Sequence, residues 1–149
     1  MILFFDTSAL VKFFHIEEGT EIVTELLNNQ ENEIWVLELV KMEFISALHR
    51  RFRNKEINEE MLAEATKGFE EELSRFNIEP LSQIVVKEGE ELLKKYGKEY
   101  GLRTLDALHI GCYSLISEED WSFVSTDGNL CAVAEFMGQK VINPLRMRK

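Results

Sequence analysis

At 149 residues, 45% hydrophobic and 30% charged, the chain has the make-up of a soluble globular protein, and a single domain over residues 1–149 with one sizeable core is expected. Its net charge of −10, from 17 basic and 27 acidic residues, excludes broad charge-driven nucleic-acid binding; it leaves a basic protein partner, or a nucleic acid held locally by a positive patch. The start, Met1-Ile2-Leu3-Phe4-Phe5-Asp6, carries no basic leader, and no apolar stretch is long enough for a bilayer, so a cytoplasmic protein without membrane contact is expected.

Residues 2–5 are apolar at consecutive positions, which marks a strand buried on both faces, as in a parallel sheet. Thr7 and Ser8 cap a helix expected to run to about residue 15. Gly19 breaks the chain. Residues 20–29 then carry Ile22, Val23, Leu26 and Leu27 on one helical face. A second strand is expected over 33–37. A helix over 39–54 buries Val40, Phe44, Ala47 and Leu48, and a polar helix over 58–75 buries Met61, Ala65, Phe69 and Leu73. Residues 78–81 read as a short edge strand, because Pro80 has no N–H for a ladder. Ser82 caps a helix to about Tyr96, with Gly97 and Gly101 punctuating the connection beyond it. Residues 103–117 are mostly apolar and predict a central helix. A strand over 121–125, a short helix over 129–137, a stop at Gly138 and a last strand over 140–142 complete the chain. Alternating strands and helices predict an α/β fold with a mainly parallel sheet. Cys112 and Cys131 show no metal-type spacing, sit among apolar residues and read as small buried hydrophobes. Positive charge clusters at His49, Arg50, Arg51, Arg53 and Lys55, and again at Arg146, Arg148 and Lys149.

Four acidic residues interrupt core-forming sequence. Asp6 closes the first apolar run, Glu43 lies in Val40-Lys41-Met42-Glu43-Phe44-Ile45, Asp106 lies in Leu105-Asp106-Ala107-Leu108-His109-Ile110, and Asp127 follows Phe123-Val124-Ser125-Thr126. An unpaired buried carboxylate is costly, so such groups pair or bind metal. Three of them have a plainer role available. Asp6 can cap a helix, though Thr7 and Ser8 serve equally. Asp127 before Gly128 suits a turn. Asp106 can pair with Arg103 three residues back, although apolar neighbours are expected on nearly every face of its helix. His109 reads as a hydrogen-bonded structural residue rather than a ligand. Asp6 and Asp127 both stand at the carboxyl ends of expected strands, where α/β sheets bind ligands. Oxygen donors without thiolate favour Mg²⁺ or Mn²⁺ over zinc, and a pair of such ions suits phosphodiester hydrolysis. Ser125 can hydrogen-bond a carboxylate or a water. Arg50 lies two turns beyond Glu43, about 10 Å along the same helix face, and can reach phosphates near it.

The ordered set Phe5-Asp6-Thr7-Ser8-Ala9-Leu10-Val11-Lys12, Glu43, Leu102-Arg103-Thr104-Leu105-Asp106-Ala107-Leu108-His109 and Val124-Ser125-Thr126-Asp127 resembles the PIN-domain nucleases. It is most similar to the VapC-type toxins of prokaryotic toxin–antitoxin pairs, and the resemblance covers essentially the whole chain. It implies a three-layer α/β/α fold around a parallel sheet, a metal-dependent endoribonuclease, and a homodimer. It also implies an antitoxin protein that wraps the toxin and sets a basic side chain near the acidic pocket. Asp6, Glu43 and Asp106 match the three main acidic positions. Asp127 matches the fourth, which helps hold metal or its waters, and Ser125 the hydroxyl two positions before it. Thr7 supports the first motif. Glu38 lies five residues before Glu43 and cannot share its helix face. Met42-Glu43-Phe44-Ile45-Ser46-Ala47-Leu48 resembles the family's pattern of Glu followed by an apolar helix, which selects Glu43.

The expected activity is therefore metal-dependent cleavage of single-stranded RNA, with Asp6, Glu43, Asp106 and Asp127 in the metal site and Arg50 and Arg103 on phosphates. No His or Lys is expected to serve as general base. Two rival readings use the same residues: an RNA-processing nuclease that is not a toxin, and a PIN scaffold that binds without cutting. A phosphatase with Asp6 as nucleophile ranks below these, because the haloacid-dehalogenase pattern wants Asp where Ser8 stands.

Overall fold

A computed structural model describes residues 1–146, so Arg148 and Lys149 of the basic tail lie outside the described residues. In chain order the elements are β1 (Ile2–Phe5), α1 (Thr7–Val11), α2 (Thr20–Asn28), β2 (Glu33–Leu37), α3 (Val40–Arg53) and α4 (Glu59–Leu73). They continue with β3 (Asn77–Glu79), α5 (Gln83–Tyr100), α6 (Thr104–Ile116), β4 (Trp121–Val124), α7 (Gly128–Phe136) and β5 (Val141–Ile142). All four strand pairings are parallel, in the order β3-β2-β1-β4-β5. The sheet is covered on both faces, giving the α/β architecture that the sequence predicts.

Alternation along the strands divides the interior into two cores. Leu3, Phe5, Ile34, Val36 and Val124 face one side and pack with α1 to α4. Phe4, Leu37, Trp121 and Phe123 face the other and pack with α5 to α7. Each large apolar side chain so buried contributes about 1.5–3 kcal/mol. On the first side Phe44 stacks on Phe69 with centroids 3.8 Å apart, and Phe14 meets both rings edge-on, which ties α3 to α4. On the second, Phe4 contacts Tyr113 and Phe123.

Several boundaries differ from the sequence reading. The first helix stops at Val11 rather than near residue 15. Phe13 and Phe14 instead bond back three residues, which tightens the last turn and swings Phe14 into the aromatic cluster. The third strand begins at Asn77, whose side-chain amide donates to the Ile34 carbonyl, and ends before Pro80. The fifth helix runs through Gly97 to Tyr100 and ends on Gly101, whose φ of +65° makes the left-handed cap. Nor is α6 buried all round: Leu105 and Leu115 are exposed, and the covered face is built from Ala107, Ile110, Gly111 and Tyr113. Both cysteines are buried, and burial pushes the Cys112 thiol up to about 12 and the Cys131 thiol to about 11. No helix among the described residues is long and apolar enough to cross a membrane.

Candidate active site

The strand order reverses at β1, with β2 and β3 on one side and β4 and β5 on the other. Such a switch point leaves a crevice beyond the carboxyl ends of the two diverging strands. Asp6 follows β1 and Asp127 follows β4, and their backbones are stitched together where the Asp6 N–H donates to the Val124 carbonyl at 3.1 Å. A cleft of about 410 Å³ opens there. Asp6, Thr7, Glu43, Arg50, Arg103, Asp106 and Asp127 all line it, and Ser125 lies just beneath.

Asp6 is the only one of the four carboxylates that is fully buried, at 2% exposure; Glu43, Asp106 and Asp127 stand in the wall with side chains 20–25% exposed. Asp6 caps α1 by accepting from the Ala9 N–H at 3.0 Å. Ser8 Oγ donates to both of its oxygens, and Ser125 Oγ donates to Oδ2 at 2.6 Å. Burial still wins over these bonds and over the charge of His109, and raises the Asp6 pKa. With its oxygens so engaged, Asp6 is poorly presented as the nucleophile of a phosphatase.

Glu43 sits in the first turn of α3. Thr7 Oγ1 donates to its Oε1 at 2.8 Å, and the same oxygen pairs with His109 Nε2. Burial pushes Glu43 up, but the hydrogen bond and charge of His109, with Thr7, hold it below the usual value. His109 is 2% exposed, and its Nδ1 has no partner among the described residues. The ring thus supports Glu43 and is closed to solvent, as its reading as a structural residue requires. Glu38 is turned away and accepts from the Leu81 N–H at the start of the turn into α5.

Asp106 lies in the first turn of α6. Burial, then the neighbouring charge of Asp127, push its pKa up to about 6, against the opposing pull of Arg103. Asp127 caps α7 by accepting from the Leu130 N–H at 3.0 Å, and its own N–H donates to Ser125 Oγ. Arg103 lies 3.6 Å from Asp106 and 3.5 Å from Asp127 with its side chain 78% exposed, so the Arg103–Asp106 pair that stood as the alternative to a functional Asp106 exists but is solvent-screened.

Sequence reasoning missed four participants. Ser8 links Asp6 to the Thr126 N–H and so joins the ends of β1 and β4. Lys12, Glu17 and Arg51 form a charged group on the same cleft. Ser8 and Lys12 belong to the first motif, but Glu17 and Arg51 carry no local signal of joining it.

Among the described residues, no three carboxylate, imidazole or thiolate groups stand close enough together to ligate one ion. The donor set nevertheless fits a hard cation. It is made of oxygen, and beyond the larger effect of burial the charges of Asp127 and Asp6 also push Asp106 up, so a positive ion among them would be favoured. Mg²⁺ takes only one or two carboxylates and keeps its waters, so three converging ligands are not required.

A family model described as the PIN domain matches residues 3–136. The chain belongs to the PIN-domain family. No curated protein matches this PIN domain. Among solved structures it is similar to the Mycobacterium tuberculosis toxin VapC20, described as cleaving the sarcin–ricin loop, with 15% identity and a TM-score of 0.68 over 87% of this chain and 93% of that one. FitAcB from Neisseria gonorrhoeae gives 15% identity and 0.69 over 99% and 100%. A toxin–antitoxin complex from Klebsiella pneumoniae gives 17% and 0.63 over 95% and 97%. At these identities the likeness establishes the shared fold.

Proposed function

We propose that this PIN domain is a metal-dependent endoribonuclease and the toxin of a type II toxin–antitoxin pair. The observation that carries the reading is the meeting of Asp6, Glu43, Asp106 and Asp127, from four separate elements, in one cleft at the switch point of the sheet. Of Asp6, Glu43 and Asp106, one or two would hold Mg²⁺ or Mn²⁺ directly and the rest would reach it through its waters, with Asp127 placing a second ion or the attacking water. Bound there, such an ion makes water more acidic and offsets charge on the leaving oxygen.

The protein's own contribution is orientation. Ser8 and Ser125 fix Asp6, and Thr7 and His109 fix Glu43, so two of the carboxylates are held before any ligand arrives. Arg103 is drawn to Asp106 and Asp127 and is exposed, so an incoming phosphate can take it over; Arg50 supplies a second cation on the cleft. Among the described residues lining the cleft, no lysine or histidine stands free as a general base, because His109 is held by Glu43 and Lys12 by Glu17. The same reading makes the protein a homodimer in the cytoplasm, silenced by an antitoxin whose basic segment enters an acidic cleft. The toxins among its structural neighbours support that role.

The test is incubation of the purified protein, free of any partner, with labelled single-stranded RNA in Mg²⁺, Mn²⁺ or EDTA, beside Asp106→Asn. Cleavage that needs metal and vanishes in the variant is expected. Full activity in Asp106→Asn sinks the reading. A folded protein that binds RNA but never cuts it makes the chain a PIN scaffold.

A further inference from the structure

On the same cleft, Glu17 accepts from two cations. Lys12 Nζ lies 3.3 Å and Arg51 Nη2 3.1 Å from the same Oε1. Burial pushes the Glu17 carboxyl up, but Arg51 and Lys12 outweigh it and hold the group ionised. The trio is preformed, because the Glu17 N–H donates to Thr20 Oγ1 and that hydroxyl donates to the His15 carbonyl, which locks the loop carrying Glu17.

Two observations go beyond a structural ion pair. The trio has two positive charges and one negative, and all three residues line the carboxylate cleft. Arg51 also keeps a buried Nη1 that has no acceptor among the described residues. A buried donor without an acceptor is unfavourable, the more so on a charged group, so the Arg51 guanidinium is not fully satisfied by Glu17. Arg51 is eight residues beyond Glu43 on α3, about 12 Å along the axis. A phosphate centred on the trio is therefore displaced along α3 from one centred on Glu43.

We propose that Lys12 and Arg51, held apart by Glu17, form a second phosphate subsite that grips the RNA backbone beside the phosphate being cut. This rests on the nuclease reading for the identity of the strand. Glu17 fixes the spacing of the two cations and, by neutralising one of them, keeps the subsite weak enough to release product. The subsite makes local, backbone-directed binding possible on a chain whose net charge of −10 disfavours it elsewhere.

The test reads binding rather than cleavage. In an Asp106→Asn background, a labelled single-stranded RNA of about 12 nucleotides is titrated by fluorescence anisotropy over a range of salt. Lys12→Gln and Arg51→Gln are each expected to weaken binding about tenfold and to lower the slope of log K against log salt by about 0.7. Glu17→Gln is expected to tighten binding, since a competing anion is lost. Lys41→Gln, exposed on α3 and away from the cleft, serves as control. If the trio only ties α3 to the loop, all three variants lower the melting temperature and leave affinity and salt slope unchanged, which overturns the subsite. No measurable RNA binding by the parent overturns it too. Should Arg51→Gln not fold, Lys12→Gln and Glu17→Gln decide. Failure of the nuclease reading shows separately, as absence of cleavage by the unmutated protein.

Discussion

At the scale of single residues the site is a set of carboxylates and the small groups that aim them. Glu43 has two such supports, and they differ in kind. Thr7 offers a hydroxyl 2.8 Å away, while His109 is a buried ring whose Nε2 reaches the same oxygen from α6. Replacing His109 with Ala leaves Glu43 half-supported. Mn²⁺ affinity, read by calorimetry, is then expected to fall about 10- to 100-fold. His109→Gln, which restores a donor near Nε2, is expected to recover most of it. Equal loss in both variants would make His109 a packing residue only. The carboxylates themselves were legible in the sequence because each breaks an apolar run or ends a strand, where an acidic residue is out of place. The choice between Glu38 and Glu43 rested on local pattern, and the contact that turns Glu38 away is with Leu81, 43 residues later. The Lys12–Glu17–Arg51 group was invisible for the same reason. Glu17 and Arg51 lie 34 residues apart, on the loop and on α3, and charges on a helix surface look alike whether solvated or paired.

At the scale of elements, α6 carries Asp106 and His109, so whatever sets its position sets two walls of the cleft. That position is fixed by a close crossing with α5. A Cβ built on Gly111 would lie 3.3 Å from the Gly89 backbone nitrogen, and one on Gly89 would lie 3.4 Å from Leu108 Cδ2. The Gly89 backbone cannot step aside as a side-chain tip would. Gly111→Ala is therefore expected to cost about 1–2 kcal/mol by denaturant unfolding, overpacking outweighing the better helix propensity of Ala. It is also expected to lower activity, because α6 must move. Gly97 gives the contrast. Its nearest neighbour to a Cβ is the Leu102 carbonyl oxygen at 3.9 Å, so Gly97→Ala should stabilise by up to about 1 kcal/mol and leave activity alone. Equal effects at both positions would mean the crossing is loose. Element type and order were readable from periodicity. The missed features were ends: a helix continuing through Gly97, and one stopping early so that Phe14 can pack. The first is set by the left-handed cap at Gly101, the second by ring partners distant in sequence.

At the scale of the whole molecule, an acidic protein has gathered carboxylates at one point, and its stability should register that. In metal-free protein, Asp106 is raised to about 6 by burial and by Asp127. The fold then binds its proton more tightly than the unfolded chain does. Its stabilising contribution is full below about pH 4, the unfolded value, and is lost as pH rises through about 6. Glu43 and Glu17 are depressed and act oppositely, contributing above the ordinary carboxylate value and losing that contribution in acid, so the raw pH profile mixes signs. The difference between Asp106→Asn and the unmutated protein isolates one group. With chelator present, the variant is expected to match the parent near pH 4 and to gain on it between pH 4 and 6. Above pH 6 the gain should hold steady at about 1–2 kcal/mol, discounted for partial exposure, or several degrees in melting temperature. Adding Mg²⁺ at pH 7.5 should reverse the order, since the ion stabilises only the form that binds it. A variant that stays ahead of the parent in saturating Mg²⁺ would mean that Asp106 bears a charge the site does not use, and that the excess of carboxylates serves something other than a cation.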